Sequence, residues 1–448
     1  MRKLFGTDGI RGKANIYPID APTAYKVGVA VGHYFRQHGQ NPKIVIGRDT
    51  RISGNMIESA IISGLCAVGC QAVPLGVIST PGVAYLTHTS DASAGVVISA
   101  SHNPFIDNGI KIFSKNGFKL PDQSELEIED IILHKDMNDY HVAPHMVANA
   151  SYWEDAIHQY TDALKATMGG TSLDGLKIIL DCANGAAYDT APELFESLGA
   201  KVTAIGIEPD GRNINKACGS LHPEKLQKHI LEQGADLGVA FDGDADRAIF
   251  VDADGNTIDG DSIMAICANN FKQANKLAEN TLVSTVMSNI GLDKAMQEIG
   301  VKVLRTQVGD RYVVEKMREC GYNFGGEQSG HLIFLDHITS GDGMLTALQI
   351  VKIIMDTGKT LAELASIMTR FPQVLKNLMV NYKRPLDELV YFKQLVSKIE
   401  NELGNDGRVL VRYSGTENKV RVMVEGKDAD QIDSFANELI GALDGELN

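Results

Sequence analysis

Three stretches of the chain repeat one order of apolar and polar positions. In residues 43–76 a short apolar run (KIVIG) gives way to a polar loop (RDTRISG). A helical spacing of apolar residues then ends near Gly69, and a second apolar run follows (CQAVPLG). Residues 176–206 keep the same order, with LKIIL, DCANGAAYD, a helix ending at Gly199, and AKVTAIG. Residues 281–305 do so again, with TLVST, VMSNIG, a helix ending at Gly300, and VKVLR. Short apolar runs joined by a helix read as parallel strands with a crossover, and the closing glycine is a helix stop. The pattern predicts three α/β domains, each built on a βαβ unit.

Each unit is followed by one more apolar strand that enters a polar loop and leaves as another apolar strand. The three loops are ISASHNPFIDNGIKIF (98–113), GVAFDGDADRAIFVD (238–252) and FGGEQSGHLIFLD (324–336). Ligands of α/β proteins bind beyond the carboxyl ends of parallel strands, so these loops are expected to converge on a central cleft. After Phe371 and Pro372 the pattern changes to a helix over 385–403, the strand-loop-strand run RVLV, RYSGTENK, VRVMVEG, and a last helix over 428–443. The expected fold is therefore α/β, with three similar mixed domains at 1–145, 146–255 and 256–370 and a smaller C-terminal α+β domain at 371–448.

Composition narrows the partners. The 448 residues are 44% hydrophobic and 22% charged, enough for a large core. With 42 Lys plus Arg against 57 Asp plus Glu, the net charge of -15 disfavours nucleic acid, and the sequence concentrates no basic face that would override it. Six scattered cysteines lack CxxC spacing, which fits a reducing cytoplasm better than a zinc site or a disulfide framework. The start, MRKLFGTDGIRG, has no apolar signal region, and the most apolar long stretch (57–78) is broken by Gly, Ser, Gln and Pro. No secretion and no membrane span are expected.

The loops carry the candidate chemistry. Ser101 ends its strand with His102 and Asn103 beside it, and Lys111 returns on the far side. Asp242, Asp244 and Asp246 alternate, and three close carboxylates repel one another unless a cation sits among them. An EF-hand is excluded, because Arg247 and Ala253 stand where Gly and Glu are required. Few oxygen ligands favour Mg²⁺. The Asp252-Ala253-Asp254-Gly255 stretch reads as a plain hairpin turn. Glu327 and Ser329 offer an acceptor and a donor two residues apart, suited to vicinal hydroxyls, although an ordinary Gly-rich polar turn has the same composition. Arg412, Ser414, Gly415, Thr416, Asn418, Lys419 and Arg421 suit a phosphate cradle, since guanidinium groups and exposed backbone N–H groups both bind phosphate, with a solvated hairpin as the alternative. Asp8 and Arg11 among three glycines suit an anion. Arg48, Asp49 and Arg51 read as a capped, salt-bridged helix start. Gly358-Lys359-Thr360 ends like a P-loop, but Ile353 occupies the first glycine position, so Gly358 reads as a helix stop. His222, His331 and His337 show no metal-ligand spacing and read as structural.

FGTDGIRG, ISASHNPFIDNGIKIF, FDGDADRA, GGEQSGH and RYSGTENKVRVMVEG stand in the order of the α-D-phosphohexomutase superfamily, which the chain resembles over essentially its whole length. The resemblance implies that Ser101 is a phosphoserine and that Asp242, Asp244 and Asp246 bind Mg²⁺ together with its phosphate. It further implies that Glu327 and Ser329 hold sugar hydroxyls and that the Arg412 to Arg421 loop holds the substrate's phosphate. Many relatives have proline where Asn418 stands, which bears on loop stiffness rather than phosphate binding. Arg247, Lys111, His102 and Arg11 would offset the anionic centre, and either His102 or Lys111 would move the hydroxyl proton. The closest branch implies interconversion of glucosamine 6-phosphate and glucosamine 1-phosphate through a sugar 1,6-bisphosphate that also acts as activator, feeding UDP-N-acetylglucosamine. Glucose or mannose phosphates are the alternative substrates, and a Mg²⁺-dependent sugar phosphatase is the alternative of another class. The implied partner is a small hexosamine phosphate, with no nucleic acid and no membrane, and a homodimer is left open. A mobile fourth domain would let the substrate bind either way round.

Overall fold

The apolar runs form strands where their spacing puts them. The computed structural model describes residues 3–6, 8–37, 39, 42–414 and 418–448. The first sheet contains Phe5–Gly6 (β1), Gly9–Lys13 (β2), Lys43–Arg48 (β3), Gln71–Val77 (β4), Ala94–Ile98 (β5) and Asp107–Ser114 (β6), in the order β1-β2-β6-β5-β3-β4. Successive strand residues face opposite sides, and two separate cores result. Ile44, Ile46, Val96 and Ile98 pack with helices Ala21–Gln37 and Gly54–Ala67. Val45, Val73, Val97 and Phe113 pack with helix Thr80–Thr89, joined by Trp153, Ala156 and Ile157.

The second sheet contains Lys177–Asp181 (β7), Lys201–Ile205 (β8), Leu237–Phe241 (β9), Ala248–Asp252 (β10) and Thr257–Ile258 (β11), ordered β11-β10-β9-β7-β8. The third contains Thr281–Thr285 (β12), Lys302–Thr306 (β13), Phe324–Gly326 (β14) and Leu332–Phe334 (β15), ordered β13-β12-β14-β15. One rule recurs. The first strand of each βαβ unit (β3, β7, β12) pairs in parallel with the strand entering the loop (β5, β9, β14). That strand then pairs antiparallel with the returning one (β6, β10, β15). Each polar loop thus lies at the carboxyl end of a parallel pair.

By packing, the chain divides into one unit of Met1–Val286 with Leu304–Ala365, and a second of Met287–Val303 with Ser366–Asn448. The second unit holds an antiparallel sheet of Gln373–Met379 (β16), Arg408–Tyr413 (β17) and Lys419–Glu425 (β18), ordered β16-β18-β17, with helices Val390–Leu403 and Ala429–Leu447. Asn289 ties the 287–303 segment to this sheet, donating to the carbonyl of Phe371 at 3.0 Å and to buried Glu425 at 3.1 Å. The two negative readings hold as local structure. Asp252 accepts from the backbone of Asp254 and Asn256 in a tight turn, and Gly358, at φ +68°, closes helix Gly343–Thr357. Among the described residues no helix is long and apolar enough to cross a membrane.

Helix Ala156–Ala166 is joined to helix Gly343–Thr357 by a buried bond, in which the Tyr160 hydroxyl donates to Asp342 at 2.6 Å. Asp342 also caps its own helix through the N–H of Leu345. Burial pushes its carboxyl up to about 6, against the pull of the Tyr160 bond. Removing that hydroxyl raises the folded-state value further, so its contribution belongs to the ionised form and is lost as pH falls through about 6. Tyr160→Phe is expected to lower stability by about 1–3 kcal/mol at pH 8 and by less at pH 5. Urea unfolding at both values checks this, and equal losses would contradict it.

Candidate active site

Ser101 stands in the turn just after β5, and its backbone is left-handed, at φ +52°. For a side chain with a Cβ this conformation costs roughly 1–2 kcal/mol, so the surroundings must impose it. They do so from several sides. The Ser101 N–H donates to the Ser99 hydroxyl at 2.9 Å, and the Ser101 carbonyl accepts from Asn215 at 2.9 Å. The loop also rests on Gly243, where an added Cβ would lie 2.5 Å from the Ser101 carbonyl oxygen, so only glycine admits this approach of the aspartate loop. The result is a contact between two of the sequence-identified loops: the Ser101 hydroxyl donates to Asp242 at 2.5 Å.

Asp242, Asp244 and Asp246 are buried, and one ligand oxygen from each lies within 4.8 Å of the others. Burial pushes the Asp242 carboxyl well above the usual range, and the neighbouring Asp246 and Asp244 charges push it further. Asp246 goes the other way: burial would raise it, but His331, Lys111 and Arg247 hold it below the usual range. The Oδ1 atoms of Asp244 and Asp246 have no hydrogen-bond partner although both are buried. Buried carboxylate oxygens that accept no hydrogen bond, in a cluster of three aspartates, fit a divalent cation. The remaining Asp244 oxygen is engaged by Lys111 at 2.8 Å and by the Thr80 hydroxyl at 2.6 Å.

Lys111 is buried, with Asp8 at 3.6 Å and Asp246 at 3.7 Å besides Asp244. Burial would lower it, but the three carboxylates raise it above the ordinary lysine range, so it stays an ammonium. Arg11 pairs with Asp8, which also holds Lys119. Burial and then Arg247 and Arg11 push the His102 imidazole down to about 4, which makes it neutral. Its Nδ1 lies 3.1 Å from Arg247 and 3.3 Å from the Ser101 hydroxyl. Lys111, Arg247 and Arg11 therefore contribute to charge offset in this site, whereas His102 is neutral and its Nδ1 lone pair accepts from Arg247.

The third loop joins the other two. Gly330 at φ +88° would bring a Cβ to 2.2 Å from the Ala248 carbonyl oxygen, and the Ala248 N–H donates to the Gly330 carbonyl at 3.1 Å. Glu327 accepts from the Gly309 N–H at 3.0 Å, while the Ser329 hydroxyl and the Gln328 amide nitrogen are buried without partners. His331, expected to be structural, is buried 3.5 Å from Asp246 and 3.6 Å from Asp310. Burial opposes its charge, but the two carboxylates raise it to about 9, so it is a cation of this cluster. Its place inside the GEQSGH loop was the available signal. Thr80, Lys119 and Asp310 are further residues the sequence did not single out, because they reach the cluster from elements whose local sequence reads only as a helix cap, a strand edge and a helix start.

The Arg48 to Arg51 segment is a salt-bridged helix start only in part. Arg48 does pair with Glu58 at 3.1 Å across the first turns of helix Gly54–Ala67. Asp49 and Arg51 instead face the serine loop, and Asp49 accepts from the Ser99 hydroxyl at 2.6 Å.

In the second unit, Arg412 and Arg421 sit directly opposite each other on β17 and β18. Burial and Arg421 both depress the Arg412 guanidinium. Like charges directly opposite are unfavourable, and an anion between them would relieve this. Ser414 is buried at the strand end, its N–H donating to the Lys419 carbonyl at 2.8 Å and its carbonyl accepting from Lys383 at 2.8 Å. Asn418 is exposed beside them; Gly415 and Thr416 lie outside the described residues.

Models of phosphoglucomutase/phosphomannomutase domains match in chain order: alpha/beta/alpha domain I over residues 2–139, domain II over 158–255, domain III over 259–371 and the C-terminal domain over 350–442. A Geotalea daltonii protein named Phosphoglucosamine mutase is 52% identical over 448 residues, spanning 100% of this chain and 99% of its own. Its namesake from Desulfotalea psychrophila is 53% identical over 440 residues, 98% of each chain. Among solved structures, a phosphoglucomutase/phosphomannomutase family protein from Burkholderia thailandensis matches with a TM-score of 0.83 and 25% identity, over 99% of this chain and 98% of that one.

Titration of the protein with Mn²⁺ tests the aspartate cluster. Asp244→Asn is expected to weaken binding at least tenfold. Thr80→Val, which leaves Lys111 as the remaining donor to that Asp244 oxygen, should weaken it by about ten- to a hundredfold, as loss of a supporting hydrogen bond does elsewhere. Unchanged affinity in both variants would remove the cluster from consideration as a cation site.

Proposed function

The chain belongs to the phosphoglucomutase/phosphomannomutase family, and we propose that it interconverts glucosamine 6-phosphate and glucosamine 1-phosphate by passing a phosphoryl group through Ser101. The observation that carries this reading is the Ser101 hydroxyl held 2.5 Å from Asp242 at the rim of a buried carboxylate cluster with orphaned oxygens. Two named Phosphoglucosamine mutases of about half-identical sequence over the full length support the amino sugar as substrate.

In this reading Ser101 is phosphorylated at rest. Its Oγ–P bond breaks as a new P–O bond forms to the free hydroxyl of the sugar phosphate, giving a 1,6-bisphosphate. The bisphosphate turns over and returns its other phosphoryl group to Ser101, so phosphorus and charge balance over the cycle. Mg²⁺ held by Asp242, Asp244 and Asp246 would supply the charge that steadies the transferring phosphoryl oxygens. Lys111, Arg11 and Arg247 are assigned the same electrostatic task. Lys111 is fixed as an ammonium by its carboxylate neighbours, so it suits charge stabilisation better than proton transfer. His102, neutral and 3.3 Å from Oγ, is the better candidate to move the hydroxyl proton once Arg247 turns from its Nδ1 to the phosphoryl group. Glu327 and Ser329 would take sugar hydroxyls. Arg412, Ser414, Gly415, Thr416, Asn418 and Arg421 would take the phosphate that is not reacting.

We draw four domains, at 1–145, 146–255, 256–370 and 371–448, each with one of these loops. A cytoplasmic enzyme, working as a monomer or a homodimer on a small hexosamine phosphate, fits this chemistry.

The test is kcat/KM for glucosamine, glucose and mannose 1-phosphates with Mg²⁺ and a sugar 1,6-bisphosphate, with Ser101→Ala as the blank. The highest value is expected for glucosamine 1-phosphate, falling to background in Ser101→Ala. Preference for glucose or mannose would reassign the substrate, and phosphate release equal to substrate loss would make the protein a phosphatase.

A further inference from the structure

We propose that Arg51 is a positioning residue for phosphoryl transfer, its guanidinium serving as the template on which the serine loop is wound. All five of its side-chain N–H groups have acceptors. Nε donates to Asp49 at 2.8 Å. Nη1 donates to the carbonyls of Pro104 at 2.5 Å and Asp107 at 3.2 Å. Nη2 donates to the carbonyls of Ser101 and Asn103, both at 2.8 Å. Four carbonyls from one seven-residue stretch therefore turn inward onto a single planar cation that is itself 1% exposed.

Asp49 completes the device. It neutralises Arg51 and, through the Ser99 hydroxyl, reaches the Ser101 N–H. Both backbone polar groups of Ser101 are thus referred to one buried ion pair, the carbonyl directly, where Asn215 donates beside Arg51, and the N–H through Ser99. With both ends fixed, the left-handed φ of +52° is held, and with it the direction in which Oγ points. An ordinary φ would swing Oγ away from Asp242. In-line transfer depends on this placement, since misplacement by about 1 Å can cost a hundredfold in rate. Lysine cannot substitute, because its three donors radiate from one atom and cannot span a fork of four carbonyls and a carboxylate.

The proposal rests on Ser101 being the phosphoryl carrier, and the experiment separates the two. Dephosphorylated full-length protein is mixed with Mg²⁺ and a sugar 1,6-bisphosphate. Single-turnover phosphorylation of Ser101 is followed by intact mass, alongside steady-state kcat and KM, Mn²⁺ affinity and the ³¹P resonance of phospho-Ser101. Arg51→Lys should slow transfer and kcat about a hundredfold, with KM and Mn²⁺ affinity within about threefold and a shifted ³¹P resonance. Ser99→Ala, which keeps both buried charges, should slow the same step by roughly tenfold. A folded Arg51→Lys with wild-type transfer, or Ser99→Ala with wild-type transfer where Arg51→Lys does not fold, would overturn the proposal. Wild-type protein that takes no phosphoryl group at Ser101 would instead sink the reading of the activity, and this proposal with it.

Discussion

Three carboxylates buried in one turn are the constraint around which the first unit is built. Burial and the neighbouring Asp246 and Asp244 charges both push the Asp242 carboxyl up, and the turn holds together only because cations face it. Lys111 from the first sheet, Arg247 from the same loop and His331 from the third loop supply the opposing charge. Each is buried or nearly so, and each is itself kept charged by those carboxylates. Truncating one member would leave buried charge uncompensated, commonly a loss of about 3–5 kcal/mol. The electrostatics of this carboxylate cluster thus also hold the three sheets' loops together.

The repeat itself was legible. The alternation of apolar runs, helical spacing and closing glycines carried the three βαβ units, because strand and helix periods are local properties of the chain. The aspartates and Ser101 were legible for a related reason: a loop between two buried strands has little cause to be so polar except chemistry. What the sequence withheld depends on pairings across long separations. His331 was set aside for want of ligand spacing, yet its partners are Asp246 and Asp310, on different elements. Arg51 was read with its neighbours in sequence, as a helix start, when four of its five acceptors lie about fifty residues away in the serine loop. No window on the chain contains both ends of such a contact.

The same distinction explains Lys119. In sequence it is one polar residue in a strand-edge turn, but it bridges Asp8 from the N-terminal hairpin and Asp310 at the start of a helix in the third repeat. Burial opposes its charge, and Asp310 and Asp8 more than restore it. Residues of this sort pass charge between elements that share no strand pairing. Their positions follow from topology rather than from composition.

The left-handed backbone at residue 101 has a consequence for which alcohol can stand there. Threonine offers the same hydroxyl and a comparable capacity to carry a phosphoryl group. Its branched Cβ, however, crowds the backbone at positive φ far more than serine does. The selection of serine over threonine is therefore made by the chain's own geometry before any substrate arrives.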